Sequence, residues 1–406
     1  MSSPTSFPSP VSRGFVARLV ALVLGAVIAL ALIVGIQLPL LHPWATTKVH
    51  AVALHPSGPV NPIVWPSVGS AALVIPALGV ERSWHNTVQP IASLTKLMTA
   101  YVVLKRLPLA PGETGPCLTI TPADVTSYDE LKVTDQSSVA VASGESICEI
   151  DLLNGLLVHS ASNYAVLLAT MVAGNVTSFV ALMNETAQHL GLRGTHYADV
   201  SGFSNQSVST ALDQGRLAAL LMKSPLVRNI VDQTSVVLPV AGIVYSFTPD
   251  VGIDNVIGVK SGRTAAAGGC DVMAMTFANG TTTDVAYAVV LGQQGGDLLG
   301  PAGEAALALD QSATTQEHAS LAKGAVVGRI GWGRHRANIV LAHSATFSWW
   351  GAKGSLTAQI HVDRFSSDLR KGQVVGYVSV GVEQKRRISL VTGGAVAPPS
   401  LWQRLL

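Results

Sequence analysis

Residues 19–36, LVALVLGAVIALALIVGI, are eighteen consecutive uncharged and almost wholly aliphatic residues. At about 1.5 Å of rise per residue that is close to the minimum for a helix crossing a hydrocarbon core of ~30 Å. Arg13 and Arg18 lie on its N-terminal side, and the next Lys or Arg is Lys48. The asymmetry predicts a cytoplasmic N-terminus with the remainder outside. The expected organisation is a Ser/Pro-rich cytoplasmic tail over 1–14 and a transmembrane signal anchor over 15–41. A cleaved signal peptide is the alternative, with a core of ~7–15 residues and a small-residue cleavage site. Here the core is longer, and Pro39, His42 and Pro43 follow it. Both readings export the bulk of the chain.

Charge and cysteine usage narrow the class further. Only 12% of the residues are charged, against about 25% in a typical soluble protein, and the net charge is +2. Without a basic run or interleaved aromatic and basic residues, nucleic acid is not an expected partner. Pro43, Pro56, Pro59, Pro62 and Pro66 mark residues 42–65 as an extended linker. An oxidising compartment suits the three cysteines. Cys117 and Cys148 lie in two strand-like segments flanking a polar connection, and a disulfide between them is predicted. Cys270, in the apolar run GGCDVMAM, reads as a buried thiol. No Cys/His spacing suits zinc, and no phosphate-binding glycine pattern follows a strand, so neither a metal nor a cofactor is expected.

The chemistry concentrates at QPIASLTKLMTA, residues 89–100, where Ser93 and Lys96 stand three apart in an apolar helical pattern. Three residues is nearly one turn, so the hydroxyl and the amine share a face. Burial, or a second cation nearby, lowers the amine's pKa until it can take the serine proton. A helix N-terminus adds backbone N–H groups where negative charge develops. The pair alone is weak, since a capping serine and a snorkelling lysine are common. The same spacing recurs at Ser320 and Lys323, where nothing downstream completes a site.

Two later segments give the first copy its company. In NGLLVHSASNYAVLLA, residues 154–169, Ser160 interrupts an apolar helical pattern. In VIGVKSGRTAAAGGCDVMAM a β-rich run leads into Lys260, Ser261 and Gly262. A cation and hydroxyls on an edge strand suit a carboxylate, and a glycine lets substrate backbone approach in β-pairing. Together they match the S-x-x-K, S-x-N, K-T-G set of penicillin-recognising serine enzymes. IASLTKLMTAYVVL, LLNGLLVHSASNYAVLLA, FVALMNETAQHLGLRGTHYADVSG and VIGVKSGRTAAAGGC resemble the low-molecular-mass D-alanyl-D-alanine carboxypeptidases, the S11 peptidase family, over roughly residues 65–295.

The resemblance implies an α+β, penicillin-recognising serine transpeptidase/β-lactamase-like fold, with a five-stranded antiparallel sheet flanked by helices and a helical lobe. It implies a catalytic domain over 66–318. Ser93 is then the acylated nucleophile, Lys96 its general base and Ser160 the proton relay to the departing D-alanine. Lys260, Ser261 and Gly262 form the third motif, with Lys260 helping to keep Lys96 neutral. The backbone N–H groups of Ser93 and Arg263 make the oxyanion hole, and Thr264 lines the same strand. The implied substrate is a peptidoglycan stem pentapeptide, the implied inhibitors are β-lactams, and the implied location is the outer face of a bacterial cell membrane, reached by a single pass.

Two departures stand out. The third motif reads K-S-G, which keeps the hydroxyl. The second reads Ser160-Ala161-Ser162, with Asn163 following where the usual form has asparagine at the Ser162 position. Either Asn163 takes that role through a shift in the loop, or Ser162 offers a single hydroxyl in place of an amide. The altered loop leaves a catalytically impaired, membrane-tethered peptidoglycan-binding scaffold as the alternative from outside enzymology. A β-lactamase is the alternative within it, and would need a deacylating glutamate. Glu185, in a helical pattern, is the only glutamate between 163 and 260.

Residues 319–406 change texture to short alternating segments separated by turns, the mark of a small β-rich domain. Trp332, Trp349, Trp350 and Trp402 lie there, read as core packing or, if Trp349 and Trp350 are exposed together, as a glycan or partner platform.

Overall fold

The computed structural model describes residues 13–41, 44–50, 55–56, 62–134, 136–279, 281–353, 358–380 and 386–400. The chain divides into two compact units, one of residues 59–317 with 349–355, the other of residues 1–58, 318–348 and 356–406.

The larger unit is built on a five-stranded antiparallel sheet in the spatial order Val256–Thr264, Gly268–Asn279, Thr282–Gln293, Ser70–Ile75 and Val80–Trp84. Alternation along Gly268–Asn279 sends Val272 and Ala274 to one core and Met273 and Met275 to another. Both faces are covered, which explains why this strand reads as a nearly unbroken apolar run. Helix Leu299–Thr314 closes the Met273 face through Ala302, Ala306 and Leu309. The opposite face shares its core with helices Ala211–Leu221, Thr95–Arg106, Glu149–Leu157, Ser162–Ala173 and Val176–His189. Leu97, Met98, Leu156, Leu168, Phe179 and Met183 interlock there and make the helical lobe.

Short strands Cys117–Thr119 and Ser146–Cys148 pair antiparallel, with Cys117 opposite Cys148 and a disulfide joining them. Cys270 is a fully buried thiol, and burial pushes its pKa up to about 12.

The smaller unit holds a six-stranded sheet in the order Thr46–Val49, Val326–Trp332, His335–Leu341, Arg386–Thr392, Val374–Val380 and Ala358–Val362. Val327, Ile330, Ile339, Val375, Val378 and Leu390 form its core. Thr46–Val49, inside the segment expected to be a plain extended linker, is its edge strand, running from Thr46 opposite Gly331 to Val49 opposite Gly328. An extended, β-branched TTKV segment beside an open sheet edge satisfies its backbone groups by pairing. Of the expected tryptophan platform, Trp349 is 9% exposed, and Trp350 packs edge-to-face on Phe277 at 6.1 Å within the larger unit. The two indoles are therefore packing groups, and Trp402 lies outside the described residues.

Residues Arg13–Leu41 form one helix. Among the described residues no single helix is long and apolar enough by itself to cross a membrane; Val20–Ile33 is a shorter apolar helical stretch. The tail before Arg13, with Pro43 and Pro59, lies outside the described residues.

Candidate active site

Ser93 occupies a single 3-10 turn, Ala92–Leu94, that runs directly into helix Thr95–Arg106. Ala92 enters it with φ 46°, in the left-handed region, and is held there by complete packing. One turn on, Lys96 Nζ lies 2.9 Å from Ser93 Oγ and donates to the Ser201 carbonyl, also at 2.9 Å. The ammonium has almost no access to water. Burial therefore drives the Lys96 pKa well below the usual lysine value; the charge of Lys260 lowers it further, and Asp199 opposes both.

Asp199 was not legible as a site residue, yet it organises the wall opposite Lys96. Its carboxylate accepts from the backbone N–H groups of Gly202 at 2.9 Å, Phe203 at 2.8 Å and Ser204 at 3.3 Å, and from the hydroxyls of Ser201 and Ser207. The loop so tied presents the Ser201 carbonyl to Lys96. Gly202, at φ 84°, is required because a β-carbon there would stand 1.7 Å from the Ala92 carbonyl oxygen. The available sequence signal was D-x-S-G, an acidic residue followed by small turn formers.

Ser160 lies between helices Glu149–Leu157 and Ser162–Ala173 at φ 62°. It is buried, and its hydroxyl has no hydrogen-bond partner among the described residues. Ser162 opens the second helix, its N–H bonded to the Ser137 carbonyl at 2.8 Å. Asn163 does not turn toward the motif. Its Oδ1 accepts from Val139 N at 3.0 Å and its Nδ2 donates to Val139 O at 2.7 Å, so both ends of the amide brace a neighbouring segment. The first of the two alternatives raised by the sequence, Asn163 standing in for the usual asparagine, is therefore not realised: a helical residue one position on points about 100° away.

The third motif lies on Val256–Thr264, the edge strand of the sheet. Lys260, Ser261 and Gly262 are buried, while Arg263 is exposed. Lys260 Nζ donates to the Ser261 carbonyl at 2.8 Å, and Ser261 Oγ to the Phe247 carbonyl at 2.7 Å. Phe247 N–H in turn bonds the Val158 carbonyl at 3.2 Å, linking this strand to the turn that carries Ser160. Thr264 Oγ1 accepts from Ala267 N at 3.0 Å. A β-carbon on Gly262 would stand 2.5 Å from Ser93 N, so the strand runs in direct contact with Ser93. Burial lowers the Lys260 pKa to about 7, with Asp271 acting the other way. Asp271, opposite Ser261 in the register, is itself held well above the carboxylate range by burial.

Other tempting residues stand elsewhere. Glu185 is exposed on helix Val176–His189. His159 is packed, with Nδ1 2.9 Å from the Tyr245 carbonyl and its ring 4.6 Å from that of Phe247. Of the second S-x-x-K copy, Ser320 falls on strand Gln316–Leu321 and Lys323 in the turn beyond, off any helix.

A serine, a desolvated lysine and an edge strand pressed on the serine form the arrangement of an acyl-transfer site. The family model of the S11 peptidases, described as D-alanyl-D-alanine carboxypeptidase, matches residues 81–295. The chain belongs to this family. A D-alanyl-D-alanine endopeptidase of Escherichia coli (strain K12) is 30% identical over 226 residues, covering 53% of this chain and 69% of that protein. A D-alanyl-D-alanine endopeptidase of Pseudomonas aeruginosa is 37% identical over 142 residues, 35% of this chain and 42% of that one. The chain thus spans less than half the length of the second relative. The S11 fold is matched by penicillin binding protein 5 from Haemophilus influenzae, with a TM-score of 0.55, 21% identity, and coverage of 82% of this chain and 99% of that one. The carboxypeptidase family's α+β architecture is accordingly that of the larger unit.

Proposed function

We propose that this S11 protein is a serine D-alanyl-D-alanine carboxypeptidase that removes the terminal D-alanine of peptidoglycan pentapeptides. The observation that carries the reading is the 2.9 Å approach of a desolvated Lys96 amine to Ser93 Oγ. Neutral Lys96 takes the Ser93 proton as Oγ attacks the penultimate D-alanine carbonyl. Backbone N–H groups of Ser93 and Arg263 receive the oxyanion. The buried Ser160 hydroxyl, held between two helices without a hydrogen-bond partner among the described residues, passes a proton to the leaving amine. Lys260 and Ser261 bind the substrate's C-terminal carboxylate, and the open edge beyond Gly262 pairs with its backbone. Water then hydrolyses the Ser93 ester. β-Lactams acylate the same serine and are retained, because their ring-opened leaving group stays attached. The exposed position of Glu185 argues against β-lactamase turnover.

The helix Arg13–Leu41 serves in this reading as a single-pass anchor with the catalytic unit outside the cell membrane. The test is mass spectrometry of a muramyl pentapeptide incubated with residues 42–406, which retain the Thr46–Val49 strand, beside Ser93→Ala. Loss of one alanine from the peptide that vanishes in Ser93→Ala supports the proposal. An unchanged peptide with folded protein overturns it and favours a non-turning-over scaffold. Cleavage of a cross-linked dimer alone would favour endopeptidase action, the activity named for both relatives.

A further inference from the structure

The small net charge conceals a division. Residues 318–406 contain twelve Lys/Arg and three Asp/Glu, whereas residues 59–317 contain eleven Lys/Arg and twenty-one Asp/Glu. A β domain this cationic has a field that selects for anions.

Five of these twelve cations lie toward one end of the sheet. Thr46, the first residue of the edge strand, pairs with Gly331, and the adjoining hairpin closes at the pair Trp332–His335. Residue 46 therefore lies at the same end as the hairpin turn. The register of the remaining strands brings the segments 363–373 and 393–400 to that end as well, since Val362 pairs with Gly376, Val374 with Val391 and Ile339 with Thr392. Ala45 N–H bonds the Phe365 carbonyl at 2.7 Å, which fastens the incoming chain there. Arg334, Arg336, Arg364, Arg370 and Lys371 are all exposed at this end, against two acids, Asp363 and Asp368.

The apolar helix arrives at the same place. Four residues separate Leu41, its last residue, from Thr46, so the cationic end can lie at most about 18 Å from the helix terminus. Trp44, 60% exposed, stands in the gap where an interfacial aromatic belongs.

We infer that this end of the β domain docks on the anionic phospholipid headgroups of the membrane that holds the helix. The inference rests on the anchor reading above. Arginine forks suit phosphate oxygens, and a tether of at most about 18 Å lets this end reach the headgroups and come within the ~8 Å Debye length over which exposed charges act in physiological salt. Docking would fix the sheet's height over the bilayer and turn a short tether into a defined mount.

Full-length protein in nanodiscs of phosphatidylcholine, with or without about a third phosphatidylglycerol, provides the test through amide hydrogen exchange of residues 330–338 and 363–372. Anionic discs should slow exchange of the hairpin about fivefold or more relative to neutral discs. High salt, and the double variant Arg334→Glu with Arg336→Glu, should abolish the slowing. Equal exchange in both discs overturns the inference. Slowing by soluble polyphosphate over neutral discs, without an effect of anionic lipid, overturns it in favour of a polyanionic polymer. A chain that fails to enter discs sinks the anchor instead. Flotation of that chain with anionic but not neutral vesicles would then still support the cationic face, and flotation with neither would overturn it.

Discussion

Gly262 passes so close beneath Ser93 that a β-carbon on it would stand 2.5 Å from the Ser93 nitrogen and 3.0 Å from its Cα. The proposed nucleophile and the strand proposed to pair with substrate are thus set by one contact between main chains. Gly262→Ala must push the strand away from Ser93. We expect acylation by a fluorescent penicillin to fall by about 10²-fold, the usual scale for a misplacement near 1 Å, with the unfolding midpoint little changed. Stopped-flow acylation together with thermal melts checks this, and undiminished acylation would show that the contact does not set the reactive geometry.

Lys96 owes its lowered pKa first to burial and second to Lys260. In the proposed mechanism acylation requires the neutral amine, so the rate should rise as pH increases through the Lys96 pKa. Lys260→Ala removes a repelling cation and stabilises the ammonium, which moves that rising limb to higher pH. The measurement is the pH dependence of the acylation rate in both proteins. A limb that stays put or moves to lower pH would show that Lys260 does not keep Lys96 neutral.

Asn163 holds Val139 by both ends of its amide in a buried setting. Asn163→Ala leaves the Val139 N–H and C=O unpaired, and stability should drop by about 1–3 kcal/mol. Urea unfolding reads the loss directly. An activity loss without a stability loss would instead mean that Asn163 meets substrate.

Glu149 is fully buried, its carboxylate has no hydrogen-bond partner among the described residues, and burial raises its pKa to about 7. Between the ordinary glutamate pKa and 7 the folded state holds a proton that the unfolded state releases. Stability therefore declines as pH rises through that window and stays reduced above it. Glu149→Gln should raise the unfolding midpoint at pH 8 and leave it nearly unchanged near pH 4. A gain of equal size at both pH values would rule out titration as the cause.

The proposed catalytic set could be put forward from the sequence because each member carries a local signature. A serine and a lysine one turn apart, Ser160 breaking an apolar helix, and a lysine, a hydroxyl and a glycine closing a β run are all short-range patterns, as is the period-two texture of the last domain. Asp199 escaped notice because its role depends on a fivefold convergence of donors within a folded loop, which no spacing announces. Whether Asn163 or Ser162 carries the second motif was likewise undecidable from order alone; one step of helical rotation and the position of Val139 settled where the amide points. The chain by itself determined the family, through motifs whose residue types and spacing carry the resemblance, and that resemblance implied the antiparallel sheet. Only the tertiary structure decided that Thr46–Val49 joins a sheet more than 280 residues downstream, because an open edge is created by folding, and pairing across that distance leaves no local trace.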